Sequence, residues 1–481
     1  MEQLTNFING KFMQPKTEEY LDVFEPATGQ VYSKVPNSSS TDIEVAFQAA
    51  NAAFPGWSEL TVTDRSQYLH KIAELLEHQL DDFANYESRD TGKPVTIAQS
   101  VDIPRAIANF RFFGEYGPTF KFNSELNNDQ SKNRVVHAPL GVVGCISPWN
   151  LPLYLFTWKI APALMAGNTV LAKPSEITPY TAYKLGEICE VANLPAGVLN
   201  IIHGQGITAG DALINHKGVQ AISFTGGTAT GKIIAQKTAA SFKKLSLEMG
   251  GKNPAIIFTD CDYNKMLETV VQSSFSNQGQ ICLSSSRILI QTKIFQRFKK
   301  DFIGKVNKLI VGDPQDHESN LGAVSSKNHF EKIMNYIELA EKEGGNILLG
   351  GKAVKLKGRC KKGWFIEPTI IEGLTNTAKT NQEEIFGPVV TLIPFNDEED
   401  AIQISNESDY GLSATIWTED KERATRVSNQ VEAGVIWVNC WLVRDLRTPF
   451  GGMKQSGMGR EGGSEALRFF TEQKNVCTSI A

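Results

Sequence analysis

Three residues of this sequence combine a reactive or polar side chain with surroundings suited to acyl-transfer chemistry. Cys282 lies in SFSNQGQICLSSSR among small and polar residues, which is unusual for a thiol that only packs, so it is a candidate nucleophile. Glu248 precedes a double glycine in SLEMGGKNP and is a candidate general base. Asn150, between Pro148 and Pro152, is a candidate oxyanion donor. Taken alone, Cys282 is more often a small buried packing residue, and Glu248 is more often an exposed loop side chain.

Two glycine-rich turns follow predicted strands, and either could receive a phosphate group. QAISFTGGTATGKIIAQKTAA carries Gly226, Gly227 and Gly231 between an apolar strand and a helix, whose first backbone amides can bind a pyrophosphate. GQGITAG, at residues 204–210, also follows a strand, but its last glycine spacing is one residue too long for the dinucleotide fingerprint. Because glycine in such turns usually serves backbone geometry alone, the glycines do not decide whether either segment binds a phosphate.

Lys173 and Glu176 follow a third predicted strand, in NTVLAKPSE. Open α/β sheets bind ligands beyond the carboxyl ends of their strands, and a carboxylate there can accept from ribose hydroxyls. The same carboxylate would repel a 2′-phosphate, which favours NAD over NADP. The alternative is an ordinary pair of surface side chains.

The elements that must position these residues alternate between strand and helix. The apolar runs VVGCIS, TVLAK, VLNIIH, QAISF and PAIIF alternate with helical segments, and SRILIQ, VVTLIPF, LSATIWT and GVIWVN repeat the pattern further along. This predicts two α/β lobes with doubly wound parallel sheets. Two further segments, from FNSELNNDQSKN into RVVHA and at the C-terminal FFTEQKNVCTSI, are predicted to pair as a small extra sheet.

The N-terminal region predicts amphipathic helices that cover a sheet. TDIEVAFQAANAAF opens with Thr41 as its predicted capping residue. A longer helical stretch is predicted from Thr63 on the spacing of its apolar residues. These residues are Leu69, Ile72, Leu76, Leu80 and Phe83.

The composition excludes several classes of protein. The 481 residues are 41% hydrophobic, enough to give about three domains a core, and 48 basic against 53 acidic residues leave no basic field for nucleic acid. No apolar run approaches the ~18 residues that a membrane span needs, and the N-terminus lacks a secretory signal pattern. We therefore expect a cytoplasmic protein whose partner is a small molecule.

The cysteines and histidines do not form the spacings of a structural or metal site. The seven cysteines are scattered without a CxxC pair, and the seven histidines show no close ligand spacing, so we expect no disulfide framework and no metal. Cys360, in KGRCKKG, is predicted to be exposed.

Six motifs together resemble one enzyme family. FTGGTATG, LEMGGKNP, QGQICL, EEIFGPV, PWNLPL and FGGMKQSGMGRE match the motifs of the NAD(P)-dependent aldehyde dehydrogenase superfamily in order and spacing. The resemblance runs from about Phe7 to the C-terminus, so the sequence is identified as a member of this superfamily.

The resemblance implies the aldehyde dehydrogenase fold, with two doubly wound Rossmann-like lobes and a small β oligomerisation segment. An NAD-binding domain would occupy residues 1–121 and 141–247, and a catalytic domain residues 248–450. The oligomerisation segment would comprise residues 122–140 and 465–481, joining subunits into a homodimer or homotetramer.

The resemblance also implies NAD as cofactor and selects FTGGTATG rather than GQGITAG as the cofactor loop. Gly227 departs from the family, which commonly has a serine there, but backbone amides could still bind the pyrophosphate. The implied cofactor-contacting residues are Ser147, Pro148, Trp149, Lys173, Glu176, Phe224, Thr225, Gly226, Gly227, Met249, Glu384 and Phe386.

In the mechanism that the resemblance implies, Cys282 attacks an aldehyde to give a thiohemiacetal whose oxyanion is held by Asn150 and the Cys282 backbone N–H. Hydride loss leaves a thioester, and Glu248 draws a proton from water to release the acid. Lys159 would support Asn150 and Glu248. The presence of Glu248 also argues against a CoA-acylating relative.

Two arginine-containing segments narrow the expected substrate. WLVRDLRTPFGG and DIPRAIANFRFF resemble the 2-aminomuconate and 2-hydroxymuconate semialdehyde dehydrogenases within this superfamily. Arg105 and Arg444 are expected to bind the distal carboxylate of such a substrate, whereas Arg111 and Arg447 are expected to form surface or inter-lobe salt bridges. Trp158 and Phe450, with Asn150, are further implied substrate contacts.

Several functions stay open on the sequence. The leading hypothesis is oxidation of 2-aminomuconate 6-semialdehyde, with 2-hydroxymuconate semialdehyde a close alternative, since no residue distinguishes the two. A broad aliphatic or betaine-type activity is also possible, although Arg444 would repel a cationic substrate. A protein that retains the fold without turnover is disfavoured by the intact Cys282, Glu248 and Asn150.

Overall fold

The structure is a computed structural model that describes residues 1–480. Its strands, in chain order, are β1 Glu2–Gln3, β2 Asn6–Ile8, β3 Lys11–Met13, β4 Tyr20–Glu25, β5 Gln30–Pro36, β6 Asn123–Asn127, β7 Ser131–Pro139, β8 Val142–Ile146, β9 Thr169–Lys173, β10 Leu199–Ile201, β11 Val219–Thr225, β12 Lys244–Glu248, β13 Asn253–Ile257, β14 Ser285–Gln291, β15 Asn346–Leu349, β16 Ala353–Val354, β17 Phe365–Ile366, β18 Thr369–Glu372, β19 Val389–Phe395, β20 Tyr410–Gly411, β21 Ser413–Trp417, β22 Val435–Val438, β23 Met453–Lys454, β24 Gly457–Met458 and β25 Thr471–Ser479.

Helices separate most of these strands. They are α1 Ser40–Glu59, α2 Val62–His78, α3 Leu80–Thr91, α4 Val95–Ile97, α5 Ile103–Tyr116, α6 Pro152–Met165, α7 Tyr180–Val191, α8 Asp211–Asn215, α9 Thr228–Thr238, α10 Tyr263–Phe275, α11 Thr292–Val306, α12 Lys327–Lys342, α13 Lys379–Gln382, α14 Glu398–Asn406, α15 Lys421–Gln430 and α16 Gly463–Phe469.

Two large sheets carry the predicted apolar runs. The first is 8-stranded, in the order β24-β12-β11-β8-β9-β10-β2-β3, and its five central strands are parallel. The second is 7-stranded, in the order β15-β18-β19-β14-β13-β21-β22, and only its edge strand β15 is antiparallel. Strands buried on both faces read as continuous apolar runs, so the two predicted α/β arrays are confirmed.

A third, antiparallel sheet stands apart from these two. It pairs β25 with β7 and β7 with β6, which confirms the predicted pairing of the two polar segments. Nearly all residues of β6 and β25 are exposed. The C-terminal strand begins only at Thr471, because the start of the predicted 465–481 segment belongs to α16.

The N-terminal helices differ from the prediction in two details. Helix α1 is capped by Ser39 rather than Thr41, since the Ser39 side chain accepts from the Thr41 N–H. The stretch predicted from Thr63 forms two helices, α2 and α3, which meet at Gln79. The apolar spacing continues across this break because both helices cover the same core.

Parallel strands bring several candidate residues to one edge of the first sheet. Strand β8 ends at Ile146, one residue before Ser147; β9 ends at Lys173, and β12 ends at Glu248. Strand β11 runs into Gly226 at the start of the turn before α9. The carboxyl ends of adjacent parallel strands share one edge, which is where such sheets bind ligands.

Cys360 is buried, so the prediction that it is exposed is wrong. It is 3% exposed and packs among Ala27, Ala323 and Phe365, while its charged neighbours face solvent. None of the helices within residues 1–480 is both long and apolar enough to span a bilayer. Over the same residues, no cluster of histidine, cysteine or acidic side chains has the make-up of a metal site.

Candidate active site

Cys282 lies where two cavities meet. The first cavity has a volume of about 340 Å³ and the second about 240 Å³, and Cys282, Leu155, Thr225 and Met249 line both. The first contains the other residues predicted for substrate and base: Arg105, Trp158, Glu248, Arg444 and Phe450. The second contains Pro148, Trp149, Asn150, Gly226, Gly227, Glu384 and Phe386. A ligand in either cavity therefore reaches the same thiol.

A tight turn presents Cys282 at this boundary. The preceding residues Asn277, Gln278 and Gly279 have positive φ angles of 51°, 55° and 69°. The Cys282 carbonyl accepts a hydrogen bond of 2.7 Å from the Asn253 amide. The turn and this hydrogen bond together fix the backbone that carries the thiol.

The thiol of Cys282 is protonated at neutral pH. Burial, together with the nearby Glu248 and Glu384 carboxylates, raises its pKa to about 12, although Arg444 opposes this shift. A thiolate forms in such surroundings only when a base or a positive charge assists.

Asn150 is buried at the edge of the second cavity rather than in the first. Its side-chain Nδ2 donates to the Gln280 carbonyl at 2.9 Å. Its own carbonyl accepts from the Asn277 amide at 3.1 Å and from the Lys93 ammonium at 3.0 Å. The backbone and side chain of Asn150 are therefore both oriented, and Nδ2 keeps a second hydrogen to donate.

Glu248 is 3% exposed, and its Oε1 atom has no hydrogen-bond partner. Burial raises the pKa of Glu248 well above its usual value, and the neighbouring Glu461 carboxylate adds to this, while Lys159 opposes it. Lys159 does not line either cavity; its ammonium lies 2.7 Å from Glu461 Oε1 and 3.2 Å from Ser223 Oγ. The sequence analysis missed Glu461, although it ends the quoted motif FGGMKQSGMGRE.

Arg105 and Arg444 line the first cavity without a carboxylate partner in the described part of the chain. Arg105 donates from Nε to Asn109 at 3.1 Å, but its Nη2 has no partner. The Arg444 guanidinium lies 4.1 Å from the Phe450 ring centroid. The Trp158 ring centroid lies 5.3 Å from the Arg105 guanidinium and 6.0 Å from that of Arg444. Burial and the charge of Arg444 both lower the pKa of Arg105. An anion placed here would be stabilised by both cations.

Arg111 and Arg447 do not belong to this site, which confirms their predicted salt bridges. Arg111 is paired with Glu77, with an Nη1 contact of 3.0 Å, and Arg447 with Asp445, with an Nε contact of 2.9 Å. All four side chains are largely exposed.

A third cavity of about 730 Å³ continues from the second through Pro148, Trp149, Thr225, Gly226 and Gly227. The buried hydroxyls of Ser147 and Thr225 have no hydrogen-bond partner. The third cavity also contains Lys173, Glu176 and Phe224 together with Gly206 and Gly210. Both glycine-rich segments of the sequence therefore line this cleft, and every predicted cofactor residue lies in one of its two parts.

Two residues of α12 that the sequence analysis missed hold the Glu384–Phe386 segment. Lys332 donates to the Glu384 carbonyl at 2.9 Å, and His329 donates from Nε2 to the Phe386 carbonyl at 2.7 Å. Gly251 N–H donates to Glu384 Oε1 at 2.9 Å. Phe386 has a φ of 63°, which is rare for an aromatic residue, so these bonds stabilise a strained backbone.

Comparison with known proteins decides the family. The aldehyde dehydrogenase family model matches residues 12–476. The chain belongs to the aldehyde dehydrogenase family. It is 48% identical to the 2-aminomuconic semialdehyde dehydrogenase of Danio rerio, over 98% of this chain and 97% of that protein. It is 43% identical to the 2-hydroxymuconic semialdehyde dehydrogenase of Pseudomonas sp. (strain CF600), over 100% of both.

A solved structure supports the same conclusion for the fold. The aldehyde dehydrogenase of Bacillus cereus in its NAD⁺ complex is 35% identical, with a TM-score of 0.97 over 100% of this chain and 97% of that one. The predicted aldehyde dehydrogenase fold is thereby confirmed.

Proposed function

We propose that this aldehyde dehydrogenase oxidises 2-aminomuconate 6-semialdehyde to 2-aminomuconate with NAD. One observation carries the choice of an acidic aldehyde: Arg105 and Arg444 share a cavity with the candidate nucleophile Cys282, and neither has a carboxylate partner among residues 1–480. The 2-aminomuconic semialdehyde dehydrogenase of Danio rerio, at 48% identity, supports this substrate. The second candidate is 2-hydroxymuconate semialdehyde, supported by the relative at 43% identity.

Cys282 is the proposed nucleophile. Its thiol first loses its proton to solvent; the thiolate sulfur then adds to the aldehyde carbon and forms a thiohemiacetal, while the Asn150 amide and the Cys282 backbone N–H stabilise the oxyanion. After oxidation the substrate is held as a thioester. Glu248 then takes a proton from water through its unpartnered Oε1, and the resulting hydroxide-like oxygen attacks the thioester carbon, so that the bond from carbon to sulfur breaks and the acid leaves with Cys282 as the thiolate. Lys159 supports this step through the Glu461 carboxylate.

The residues of the second and third cavities fit NAD. The orphaned Ser147 and Thr225 hydroxyls need hydrogen-bond partners, and a side-chain carbon added at Gly227 would meet nothing within 4 Å, so the turn before α9 has room for a phosphate. Glu176, 3.4 Å from the Lys173 ammonium, would accept from the adenosine ribose, and Glu384 from the nicotinamide ribose. When bound, NAD supplies the hydride acceptor for the oxidation.

Arg105 and Arg444 are proposed to bind the distal carboxylate. A guanidinium recognises a carboxylate through paired N–H donors, and the aromatic rings of Trp158 and Phe450 hold both cations in place. The aldehyde at the other end of the substrate is then directed to Cys282. A cationic aldehyde would be repelled by the same charges.

We propose that the protein works in the cytoplasm as a homodimer or homotetramer. All seven of its cysteines are free of disulfides, which suits a reducing compartment. The exposed sheet of β6, β7 and β25 offers strand surface through which subunits could join.

Initial-rate kinetics with NAD test the proposed function. We expect enzymatically generated 2-aminomuconate and 2-hydroxymuconate semialdehydes to have a kcat/KM at least about tenfold above that of hexanal, the 2-amino compound being the best. A higher kcat/KM for the 2-hydroxy compound would support the second candidate. Equal values for hexanal and both acidic aldehydes would contradict an acid-specific enzyme.

A further inference from the structure

Lys93 is a completely buried lysine outside the proposed catalytic set. Its ammonium is paired with the Asp102 carboxylate, donates to the Asn150 carbonyl at 3.0 Å, and lies 3.9 Å from Glu87 Oε1. Asp102 and Glu87 are equally buried. Burying an ammonium costs free energy unless it is paired with a carboxylate and hydrogen-bonded. The contacts of Lys93 therefore hold the groups bound to it in fixed positions.

Two of the groups bound by Lys93 reach different parts of the site. Asn150 belongs to the loop before α6, at the second cavity. Asp102 ends the π-helical turn Ala98–Asp102, lines the first cavity, and is followed directly by α5, which carries Arg105. The Lys93 side chain thus links the proposed oxyanion donor to the proposed carboxylate-binding helix.

Glu87 anchors the same loop from its other side. Its Oε2 accepts from the Leu153 N–H at the start of α6 and from the Thr181 hydroxyl. Burial raises the pKa of Glu87 to about 8 and also raises the pKa of Asp102, while the Lys93 ammonium opposes both shifts. The contacts of Glu87 thus tie the start of α6 to the same buried cluster.

We propose that Lys93 is a positioning residue that holds the Asn150 loop against the helix of Arg105. The distance between the oxyanion donor and the distal carboxylate site is thereby set by one buried side chain. This inference rests on the proposed roles of Asn150 and Arg105.

Replacing Lys93 with methionine tests the proposal. We expect Lys93→Met to lower kcat at least about tenfold for both hexanal and the acidic aldehyde, because removing an oxyanion donor outright costs about a hundredfold or more. The KM should rise for the acidic aldehyde only, and the Kd for NAD should not change. Lys71→Met, at an exposed lysine paired with Glu74, is the matched control and should behave as wild type.

A double-mutant cycle separates this proposal from the role of Asn150. If Lys93 acts through Asn150, the variant Lys93→Met/Asn150→Ala should have the same kcat as Asn150→Ala alone. If the double variant instead loses kcat by the product of the two single-variant factors, the inference about Lys93 would be overturned. Full activity in Asn150→Ala would instead contradict the proposed function of Asn150.

A charge-balanced variant guards against simple misfolding. Lys93→Met leaves Asp102 as an unpaired buried carboxylate, whereas Lys93→Met/Asp102→Asn removes both charges and should restore much of the lost thermal stability. We expect kcat to remain low in this variant, because the bond to the Asn150 carbonyl is still missing. Recovery of kcat to the wild-type value would overturn the positioning role.

Discussion

At the scale of single residues, the site raises the pKa values of both of its reactive groups, Cys282 and Glu248. Burial is the main reason that the pKa values of Cys282 and Glu248 are raised; the Glu461 carboxylate further raises the pKa of Glu248, and the Glu248 carboxylate further raises that of Cys282. Both groups act in the proposed mechanism only when deprotonated. Turnover should therefore increase as the pH rises above neutrality, and the positive charge of Arg444 should assist by lowering both pKa values.

The rate of Cys282 alkylation by iodoacetamide as a function of pH measures this effect. We expect the rate to rise about tenfold per pH unit from pH 6 to 9 without a plateau, since only the thiolate reacts. Arg444→Ala should react more slowly than wild type at every pH in this range, because loss of the positive charge raises the thiol pKa. Arg447→Ala, on the same loop, is the control. A plateau below pH 8 would show that the pKa of the Cys282 thiol is not raised.

At the scale of elements, the sequence predicts the strands best. The runs TVLAK and PAIIF are recognisable because strands buried on both faces have no polar side to interrupt the pattern. Helix caps are harder to predict from the sequence. Ser39 rather than Thr41 caps α1 because the helix begins at Ser40, although both side chains can accept a hydrogen bond. The burial of Cys360 is equally hard to predict. This residue lies in a charged segment, and its burial depends on contacts with residues far away in the sequence, such as Ala27.

Site residues that lie in short distinctive motifs could be predicted from the sequence. Site residues that depend on contacts with distant parts of the chain could not. Cys282 and Glu248 stand in distinctive local sequences, and the structure places them on one cavity. Lys93 and His329 have no local signal, because their partners Asn150 and Phe386 are 57 residues away in each case. Such contacts follow only from the packing of whole elements.

The turn before Cys282 should be sensitive to a single methyl group. An alanine Cβ at Gly279, where φ is +69°, would lie 2.1 Å from the Gly387 carbonyl oxygen. Gly344 is the matched control, because its φ is +88° but a Cβ would meet nothing within 4 Å. We expect Gly344→Ala to cost about 1–3 kcal/mol through backbone strain alone, with normal kcat. Gly279→Ala should lose more stability in urea unfolding and lose kcat as well; equal effects would contradict the clash.

At the scale of the whole molecule, the sheet of β6, β7 and β25 is the surface least explained by a single subunit. It carries exposed apolar side chains, with Leu126 at 66% and Val476 at 37% exposure. Exposed strands with apolar residues tend to pair with another chain. We propose that this sheet forms the contact between subunits.

Charged substitutions on this sheet test that role. We expect Leu126→Asp/Val476→Asp to reduce the mass measured by light scattering after size-exclusion chromatography, because a buried charge in the contact is unfavourable. Val191→Asp, at a valine that is 60% exposed on α7, should leave the mass unchanged. An unchanged assembly in the double variant would exclude this sheet as the contact.

The central claim is that this aldehyde dehydrogenase recognises the distal carboxylate of its substrate through Arg444 and Arg105. The most direct test is the ratio of kcat/KM for enzymatically generated 2-hydroxymuconate semialdehyde to that for hexanal, in wild type, Arg444→Ala and Arg447→Ala. We expect Arg444→Ala to lower this ratio about 10- to 100-fold, as loss of a charged hydrogen-bond pair should, while Arg447→Ala leaves it unchanged. A ratio that is the same in all three proteins would contradict the account.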